Sequence, residues 1–488
     1  MPTFTRRNLL AGVAGSIGVL AIGPAHAWLT GPAIEKTSTD VLVVGSGLSG
    51  VVAALSAREQ GAEVLLIDKV KKALKGGNSR VCLGSFLMPK DNSDEAKKDF
   101  ISAVESKSLG GGRTDLYRVL ADEILDAVAW AEKHGGKFEP WLQQAPWKLG
   151  VRIASPGQYR GMPKLLDTLH GEFEKLGGKE LYNTKAQQLL VDEKGAVRGC
   201  RVHMPDGLVD IEAKAVILAT GGYSANRSML EAAHPGGANI LIRGNKWITG
   251  DGIFLAQEIG AGVRGMAGVE SLHLPVVYRG PKGNGSPTRA MPYCLGINKE
   301  GSRFVDESVG YASFGKATLK QTDQTVALIF DSDTKEREQR IGMSIQLFEK
   351  AGGGLVEADG LDDLANKLGI SATVLKDTVA QFNSAVKDGH TAPDALPPKA
   401  RLATRFNPDG KVYAFYPLTP SITMVYGGLM IDTNTRVTQA DGTPIIGLFA
   451  AGETINLYYH DYHGGGILAQ CLAFGRLAGR NAAALANN

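Results

Sequence analysis

Three glycines and one aspartate near the start of the chain stand at the spacing of a dinucleotide-binding unit. An apolar run over 41–44 leads into Gly45, Gly47 and Gly50, and a second apolar run ends at Asp68. The first glycine permits a tight turn, the second lets the backbone approach a pyrophosphate, and the third lets helix and strand pack closely. Free N–H groups at the helix start bind the phosphates, and Asp68 accepts hydrogen bonds from a ribose. The pattern predicts a strand–helix–strand unit that binds a dinucleotide.

Further elements must position this unit. A Gly-Gly-Asn-Ser loop at 76–79 is followed by a helix in which Thr114 is expected to be the cap, with apolar residues at helical spacing. Short strands with Gly-containing turns between 187 and 210 predict a β-meander. A buried strand at 215–219 then runs into a second glycine-containing turn at 220–222.

The first 27 residues predict export. Arg6 and Arg7 precede a Gly/Ala-rich apolar run, and Ala25-His26-Ala27 is a small-x-small cleavage site. This pattern is typical of a twin-arginine signal peptide over 1–27. The alternative is a membrane anchor, but the apolar run is short and interrupted by glycines. We therefore expect a periplasmic protein that does not span a membrane once mature.

Composition excludes several classes of protein. The chain has 488 residues, which is too long for one ordinary domain, and its formal net charge of +3 disfavours a nucleic-acid partner. Its four cysteines are far apart, with no CxxC or CxxCH, which excludes an attached c-type haem and predicts no metal site. Disulfides and buried free thiols both remain open.

Six motifs occur in order along nearly the whole mature chain. They are GxGxxG at 45–50, GGNS at 76–79, ATGGY at 219–223, TGDG at 249–252, GSRFVDE at 301–307, and AGE at 451–453 with FGRLAG at 474–479. Together they resemble the fumarate reductase and 3-ketosteroid dehydrogenase superfamily of flavoproteins. The resemblance implies FAD, and two glycine loops separated by a meander also suit this larger dinucleotide. Because nothing in GGNS resembles the histidine that binds FAD covalently in the succinate dehydrogenase branch, we expect non-covalent FAD.

The resemblance also implies the architecture. It predicts an α/β fold with a discontinuous Rossmann-like FAD-binding domain, of the glutathione-reductase-like βαβ-plus-meander type, and an inserted α+β capping domain. The expected segments are 38–267 for the first part of the FAD domain, 268–423 for the cap and 424–488 for the second part.

The same resemblance assigns the cofactor site. Glu453 is expected to bind FAD hydroxyls, and a helix opening near Gly465 is expected to aim its amides at the flavin pyrimidine. The residues expected to contact FAD are Gly45, Gly47, Leu48, Ser49, Gly50, Asp68, Lys69, Gly76, Gly77, Asn78, Ser79, Ala219, Thr220, Gly221, Gly222, Asp251, Gly452, Glu453, Gly465, Ile467 and Leu468.

At the substrate positions the chain departs from fumarate reductases. His273 matches the substrate-binding histidine at the start of the cap. The proton-donating arginine falls on Ala290, next to Arg289, the clamping arginine falls on Tyr462, and the second histidine falls on Met424. A site for a C4 dicarboxylate needs two cationic clamps to offset the desolvation of two carboxylates. The sequence keeps at most one, so fumarate and succinate are disfavoured.

An aromatic and imidazole cluster replaces the arginines. Tyr462, His460 and His463 precede a glycine-rich helix start, and Asp461 lies among them. A tyrosine hydroxyl can protonate or polarise a carbonyl oxygen, as at the ketosteroid dehydrogenase end of the superfamily. The candidate catalytic residues are therefore Tyr462, His460, His463, Arg289 and His273. Packing for the tyrosine, helix capping for the histidines and a solvated position for Arg289 remain open.

These residues predict an FAD-dependent oxidoreductase for small molecules. It would transfer hydride between flavin N5 and a carbon–carbon bond activated by a carbonyl or aromatic group, as a dehydrogenase or an ene-reductase. Electrons would pass through a separate carrier, such as a periplasmic cytochrome c or a quinone-linked protein. The alternatives are a flavin oxidase that uses O₂ and an electron-transfer or chaperone-like flavoprotein without a substrate.

Overall fold

The computed structural model describes residues 35–82, 84–140, 149–154, 161–267, 271–273, 285–461 and 464–488. The expected signal peptide and two candidate residues, Tyr462 and His463, lie outside the described residues. Among the helices of the described chain, none is long and apolar enough to cross a membrane.

The described elements alternate between strands and helices. The strands are β1 (Glu35–Val44), β2 (Val64–Ile67), β3 (Ser85–Pro89), β4 (Phe138–Pro140), β5 (Leu149–Ala154), β6 (Lys179–Leu181), β7 (Lys185–Val191), β8 (Val197–Met204), β9 (Gly207–Leu218), β10 (Leu241–Ile242), β11 (Val263–Arg264), β12 (Ser271–His273), β13 (Leu295–Ile297), β14 (Val326–Asp331), β15 (Leu355–Asp359), β16 (Lys411–Leu418), β17 (Ser421–Met424), β18 (Gly428–Leu429), β19 (Arg436–Thr438) and β20 (Pro444–Ala450). The helices are α1 (Leu48–Glu59), α2 (Asp94–Ser108), α3 (Thr114–Lys133), α4 (Met162–Lys175), α5 (Arg227–Ala233), α6 (Asp251–Glu258), α7 (Tyr311–Leu319), α8 (Ser332–Arg337), α9 (Gln339–Lys350), α10 (Leu361–Leu368), α11 (Ala372–Ala385) and α12 (Gly466–Asn487).

A sheet of eight strands carries the dinucleotide unit. Its order is β19-β20-β9-β1-β2-β6, and β8 extends it from β9 with β7 beyond. The strand β1 is parallel to both β2 and β9, with Val41 beside Val64 on one side and Ala215 on the other. Because Val41, Leu42 and Val43 are fully buried, helices must cover both faces of this central strand. The predicted α/β fold, with a Rossmann-like βαβ unit and a meander, is confirmed.

Helix α12 covers α1 at very short range. A Cβ atom placed on Gly479 would lie 2.3 Å from the carbonyl oxygen of Ala53, and one on Gly475 would lie 2.7 Å from that of Ser49. The glycines of the FGRLAG motif therefore allow the two helix backbones to touch. This contact joins the C-terminal segment to the first βαβ unit.

A second set of cores lies between Ala290 and Leu418. The antiparallel sheet β13-β14-β16-β15 packs against helices of this region, and two hydrophobic clusters consist only of its residues. The strands β12 and β17, which pair antiparallel, bring the start and end of this region side by side. This arrangement is an α+β insertion in the α/β domain, as predicted.

The GSRFVDE motif builds a buried charged cluster in the insertion. The Arg303 guanidinium donates to both carboxylate oxygens of Glu307, at 3.0 and 2.9 Å, and the Lys399 ammonium lies 3.4 Å from Glu307. All three side chains are almost fully buried. Burial opposes ionisation, but the charges of Lys399 and Arg303 hold the pKa of Glu307 below its usual value. The motif therefore ties the loop at 303–307 to the segment at 399.

Three local predictions need correction. The predicted meander end and the buried strand at 215–219 form one strand, β9, which pairs with β1 from Glu35 to Val44. Thr114 is the first residue of α3 and not its cap, because its hydroxyl donates to Glu105. The GGNS segment is not an open loop, since residues 77–81 form a 3-10 helix.

Candidate active site

A cavity of about 960 Å³ opens at the carboxyl ends of β1, β2 and β9. Its walls come from the turns after these strands, from the 3-10 helix at 77–81, from the start of α12 and from the insertion. Ligands of open α/β sheets bind at this edge. The cavity is therefore the candidate site for both cofactor and substrate.

Most of the residues expected to contact FAD line this cavity. Those that do are Gly45, Gly47, Ser49, Asp68, Lys69, Gly77, Asn78, Ser79, Ala219, Thr220, Gly221, Asp251, Glu453, Gly465, Ile467 and Leu468. Five others do not line it and stand behind its wall, namely Leu48, Gly50, Gly76, Gly222 and Gly452. Their contacts are with protein atoms: Leu48, for example, is fully buried and donates its amide to Ser79 Oγ at 3.3 Å.

The two later positions of the GxGxxG motif need a glycine for different physical reasons. A Cβ atom on Gly50 would lie 1.8 Å from the carbonyl oxygen of Gly45, so this glycine is required by packing. A Cβ atom on Gly47 would meet no protein atom closer than 3.8 Å and would project at the cavity wall. A glycine with room beside it indicates a ligand that approaches the backbone, which fits the diphosphate of FAD.

Ser46 organises the turn between these glycines. Its amide and hydroxyl donate to Asp68 Oδ2 at 2.8 and 2.5 Å, and its hydroxyl accepts from the Gly76 amide at 3.2 Å. Asp68 Oδ1 accepts from the Val70 amide at 3.1 Å. Sequence reasoning missed Ser46, although its place inside the motif was a signal. Asp68 thus shapes the turn in addition to lining the cavity.

Glu453 places a buried carboxyl on the cavity wall. Its oxygens accept from the Val425 amide at 3.0 Å and from Asn78 Nδ2 at 3.3 Å. Burial raises the pKa of Glu453 to about 7, and the hydrogen bonds from Val425 and Asn78 oppose this rise. A half-protonated carboxyl can accept from a hydroxyl and donate to one, which suits the hydroxyls of a ribityl chain.

Lys69 and Asp251 close another part of the wall. Lys69 Nζ lies 2.8 Å from Asp251 Oδ2 and donates to Thr249 Oγ1 at 2.7 Å. Burial raises the pKa of Asp251, but the charge of Lys69 and the hydrogen bonds from Lys69 and Thr249 together hold that pKa below its usual value. The pair adds no net charge to this part of the cavity and ties α6 to the end of β2.

Arg289 brings the insertion into the same cavity. It lines the cavity with Ser286, Thr288 and Tyr311. Ala290, its neighbour, is fully buried in the hydrophobic cluster of Met291 and Phe314. The structure therefore places Arg289 at the site, while position 290 faces the core. Arg243 and Lys350 also line the cavity and were not predicted, because neither belongs to a motif.

The other candidate catalytic residues stand apart or are not described. His460 is half-buried, adopts φ = 65° and accepts at its carbonyl oxygen from Lys316 Nζ, but it is not among the residues that line the cavity. Asp461 lies 3.0 Å from Lys107 Nζ and 3.4 Å from Ser313 Oγ. His273 belongs to β12, and only its backbone is described, while Tyr462 and His463 lie outside the described residues.

All four cysteines are free thiols. Burial raises the pKa of Cys82 and Cys200 to about 12, so these thiols are held in their neutral form. Within the described residues, no group of three or more His, Cys, Asp or Glu side chains could hold a metal ion.

The fold and this cavity define a dinucleotide-dependent flavoprotein, and comparison with known proteins gives its family. A family model described as an FAD binding domain, FAD_binding_2, matches residues 40–468, and the chain belongs to this family. It is an FAD-dependent oxidoreductase that acts on CH–CH groups.

Two curated relatives are similar over most of their length. The chain is 30% identical over 459 residues to a probable fumarate reductase, Ifc3, of Shewanella frigidimarina (strain NCIMB 400). This alignment covers 91% of this chain and 75% of the relative. It is 31% identical over 470 residues to a urocanate reductase of Eggerthella lenta, which covers 92% of this chain and 75% of the relative.

Two solved structures share the fold. A flavocytochrome c3 fumarate reductase in its open conformation matches with a TM-score of 0.74 and 28% identity, over 93% of this chain and 79% of that one. A 3-ketosteroid-Δ4-(5α)-dehydrogenase of Rhodococcus jostii RHA1 matches with a TM-score of 0.75 and 23% identity, over 92% of this chain and 97% of that one. The predicted resemblance is confirmed at the level of family by the family model and the fumarate reductase relative, and at the level of fold by the steroid dehydrogenase structure.

Proposed function

We propose that the enzyme reduces a carbon–carbon double bond conjugated to a carbonyl or aromatic group. The observation that carries this proposal is that Arg289, from the insertion, lines the same cavity as the dinucleotide loops. The names of the curated relatives support the reductase direction, since they act on fumarate and urocanate. The fold is shared with a steroid dehydrogenase, so the reverse reaction is the second outcome of the test.

The residues of this chain would act on the activating oxygen. FAD, when bound, supplies the hydride at N5. The Arg289 guanidinium would donate hydrogen bonds to the carbonyl or carboxylate of the substrate and stabilise the negative charge that develops there. Hydride adds to one carbon and a proton to the other, so the double bond becomes a single bond. We propose His273, Tyr462, His460 and His463 as further participants in holding the substrate or moving the proton.

We also propose that C4 dicarboxylates are poor substrates. The support is that Ala290 is packed in the core and cannot clamp a carboxylate, and that Tyr462 stands where the family clamp falls. Binding two carboxylates out of water requires two well-placed cations.

A reoxidation assay tests the function. The flavin of the purified protein is reduced anaerobically and mixed with fumarate, urocanate, acrylate, a vinyl phenol and a cyclic enone. We expect fast reoxidation by at least one monocarboxylate or aromatic alkene and slow reoxidation by fumarate. Rapid fumarate turnover would overturn the exclusion of dicarboxylates. Reoxidation by O₂ alone would replace the proposal with an oxidase, and reduction of the oxidised flavin by a saturated ketone would reverse the direction.

Variants test the role of Arg289. We expect Arg289→Gln to slow alkene-dependent reoxidation by about 10²- to 10³-fold while leaving the flavin spectrum unchanged. Arg337→Gln is the matched control, because Arg337 lies on α8 of the same insertion, is 45% exposed in its side chain and does not line the cavity. Equal rates in the two variants would remove Arg289 from the mechanism.

We propose that the mature protein works in the periplasm, with FAD bound non-covalently and with a separate electron carrier. Arg6 and Arg7, the absence of CxxC motifs and the GGNS segment support these points. The carrier would be a small cytochrome c or a quinone-linked protein. We further propose 38–267, 268–423 and 424–488 as the domain segments. Acid denaturation should release intact FAD, and flavin that stays in the protein pellet would contradict non-covalent binding.

A further inference from the structure

A buried histidine lies behind the turn that faces the cavity. His170 is on α4, is 1% exposed, and its Nε2 lies 3.2 Å from the carbonyl oxygen of Ser46. Its Nδ1 forms a short contact with a carboxylate oxygen of Glu180, on the edge strand β6. Sequence reasoning missed this residue, because it occupies the apolar stripe of α4 with Leu166, Leu169 and Phe173.

The partners of His170 fix the orientation of its ring. A carbonyl oxygen only accepts hydrogen bonds, so Nε2 donates to Ser46. Glu180, the partner of Nδ1, also accepts from the Tyr182 hydroxyl at 2.7 Å and lies 3.9 Å from Lys75 Nζ. The imidazole is therefore held at both of its ring nitrogens.

We propose that His170 strengthens the binding of the FAD diphosphate through the peptide between Ser46 and Gly47. It is a positioning residue, since it contacts the turn and not the cavity. The carbonyl of Ser46 and the amide of Gly47 belong to one planar peptide and point in opposite directions. A buried N–H donor on the carbonyl polarises this peptide, which makes the Gly47 N–H a stronger donor toward a phosphate oxygen.

The charged groups around the pair come from four elements. They are Glu180 on β6, Tyr182 after it, Lys75 before the 3-10 helix, Asp68 after β2, and Glu174 on α4 itself. Asp68 accepts a hydrogen bond from the Ser46 amide, and His170 donates one to the Ser46 carbonyl. The turn is therefore hydrogen-bonded on both sides.

The rate of FAD release from the full-length holoenzyme, followed by flavin fluorescence at pH 7, tests the proposal. We expect His170→Leu to release FAD about 10-fold faster than the wild type, because the buried hydrogen bond to Ser46 is lost. His170→Gln, whose terminal amide can still donate to the Ser46 carbonyl, should restore most of the slow release.

The chain offers a matched control. His134 Nε2 lies 2.9 Å from Glu59 Oε1 at the other end of α1, so His134→Leu removes a pair of the same type away from the turn. We expect it to release FAD at the wild-type rate. Equal rates for His170→Leu and the wild type, equal effects of His170→Leu and His134→Leu, or equal rates for His170→Gln and His170→Leu would each overturn the proposal. If His170→Leu does not fold, His170→Asn, whose shorter side chain does not reach Ser46, takes its place in these comparisons.

Discussion

At the scale of single residues, Gly47 and Glu453 are the positions at which we expect cofactor binding and folding to be separable. Packing requires a glycine at 50, whereas the space beside Gly47 supports its proposed contact with the ligand, although the sequence pattern treats the two glycines alike. The desolvation of the Glu453 carboxyl is offset only in part by hydrogen bonds from protein donors. We therefore expect substitutions at Gly47 and Glu453 to affect FAD binding more than folding.

The change Gly47→Val should prevent FAD loading without unfolding the protein. A Cβ atom there would lie no closer than 3.8 Å to a protein atom, and the side chain would occupy the path of the diphosphate. The flavin content and the far-UV circular dichroism of the purified variant check this. Gly171→Val on α4 is the control, because a Cβ atom there has no neighbour within 4 Å and the site is not in the cavity. Normal FAD content in Gly47→Val would show that the turn does not hold the diphosphate.

The carboxyl of Glu453 should make the FAD-free protein less stable as the pH rises. Its pKa of about 7 in the fold exceeds the unfolded value of 4.5, so the folded state binds more protons between these values. Stability is therefore lost as the pH rises through this window, by about 3 kcal/mol in total. Glu453→Gln should remove this loss, so its melting temperature should exceed that of the wild type at pH 8 and match it at pH 4.5. Its FAD affinity should fall. Identical pH dependence of the melting temperature in the wild type and in Glu453→Gln would contradict the raised pKa of Glu453.

At the scale of elements, the site depends on long-range contacts. The strand β9 lies between β1 and β20, and α12 lies on α1, so segments from both ends of the described chain share one core. The glycines of α12 allow its backbone to lie directly against that of α1.

We expect Gly479→Leu to lower the free energy of unfolding by about 3 kcal/mol or more, because its side chain would meet the Ala53 carbonyl at 2.3 Å. Urea denaturation measures this, and FAD content should fall in parallel. Ala484→Leu, at an exposed position of the same helix, should change stability by less than about 0.5 kcal/mol. Equal effects would show that the helices can separate without cost.

The elements also show which features the sequence could predict. The βαβ unit and the meander were predictable, because strand periodicity and glycine spacing are local. The role of Thr114 was not, since its hydroxyl is used by Glu105 and not by the helix end. His170 escaped prediction because its partners come from distant segments, and Arg243 because it stands in no motif. Arg289 was predicted only through its neighbour, and the burial of Ala290 explains why the adjacent residue faces the cavity.

At the scale of the whole molecule, one cavity lies between the α/β domain and its insertion, and it is the candidate site for both cofactor and substrate. We expect FAD binding to need the complete fold, because the Glu453 and Gly465 walls come from the last segment of the matched family region. A protein of this kind suits an export route that carries folded chains.

Changing Arg6 and Arg7 together to Lys should leave the precursor in the cytoplasm, since the translocase reads the arginine pair. FAD binding should continue, because both residues precede the described fold. Cell fractionation followed by immunoblotting measures the distribution, and the single change Arg58→Lys on α1 is a control for the chemistry of the substitution. Undiminished periplasmic protein in the double variant would show that another signal directs export.

The placement of β20 beside β9 has a consequence for synthesis on the ribosome. The strand β9 ends at Leu218 and its partner begins at Pro444, and the whole insertion is made in between. At a translation rate of about 5–20 residues per second, the edge of β9 stays unpaired for roughly 10 to 50 s. The nascent chain therefore exposes an apolar strand edge throughout this interval. Its yield in cells should depend on chaperones that bind emerging chains and on the pace of elongation through the insertion.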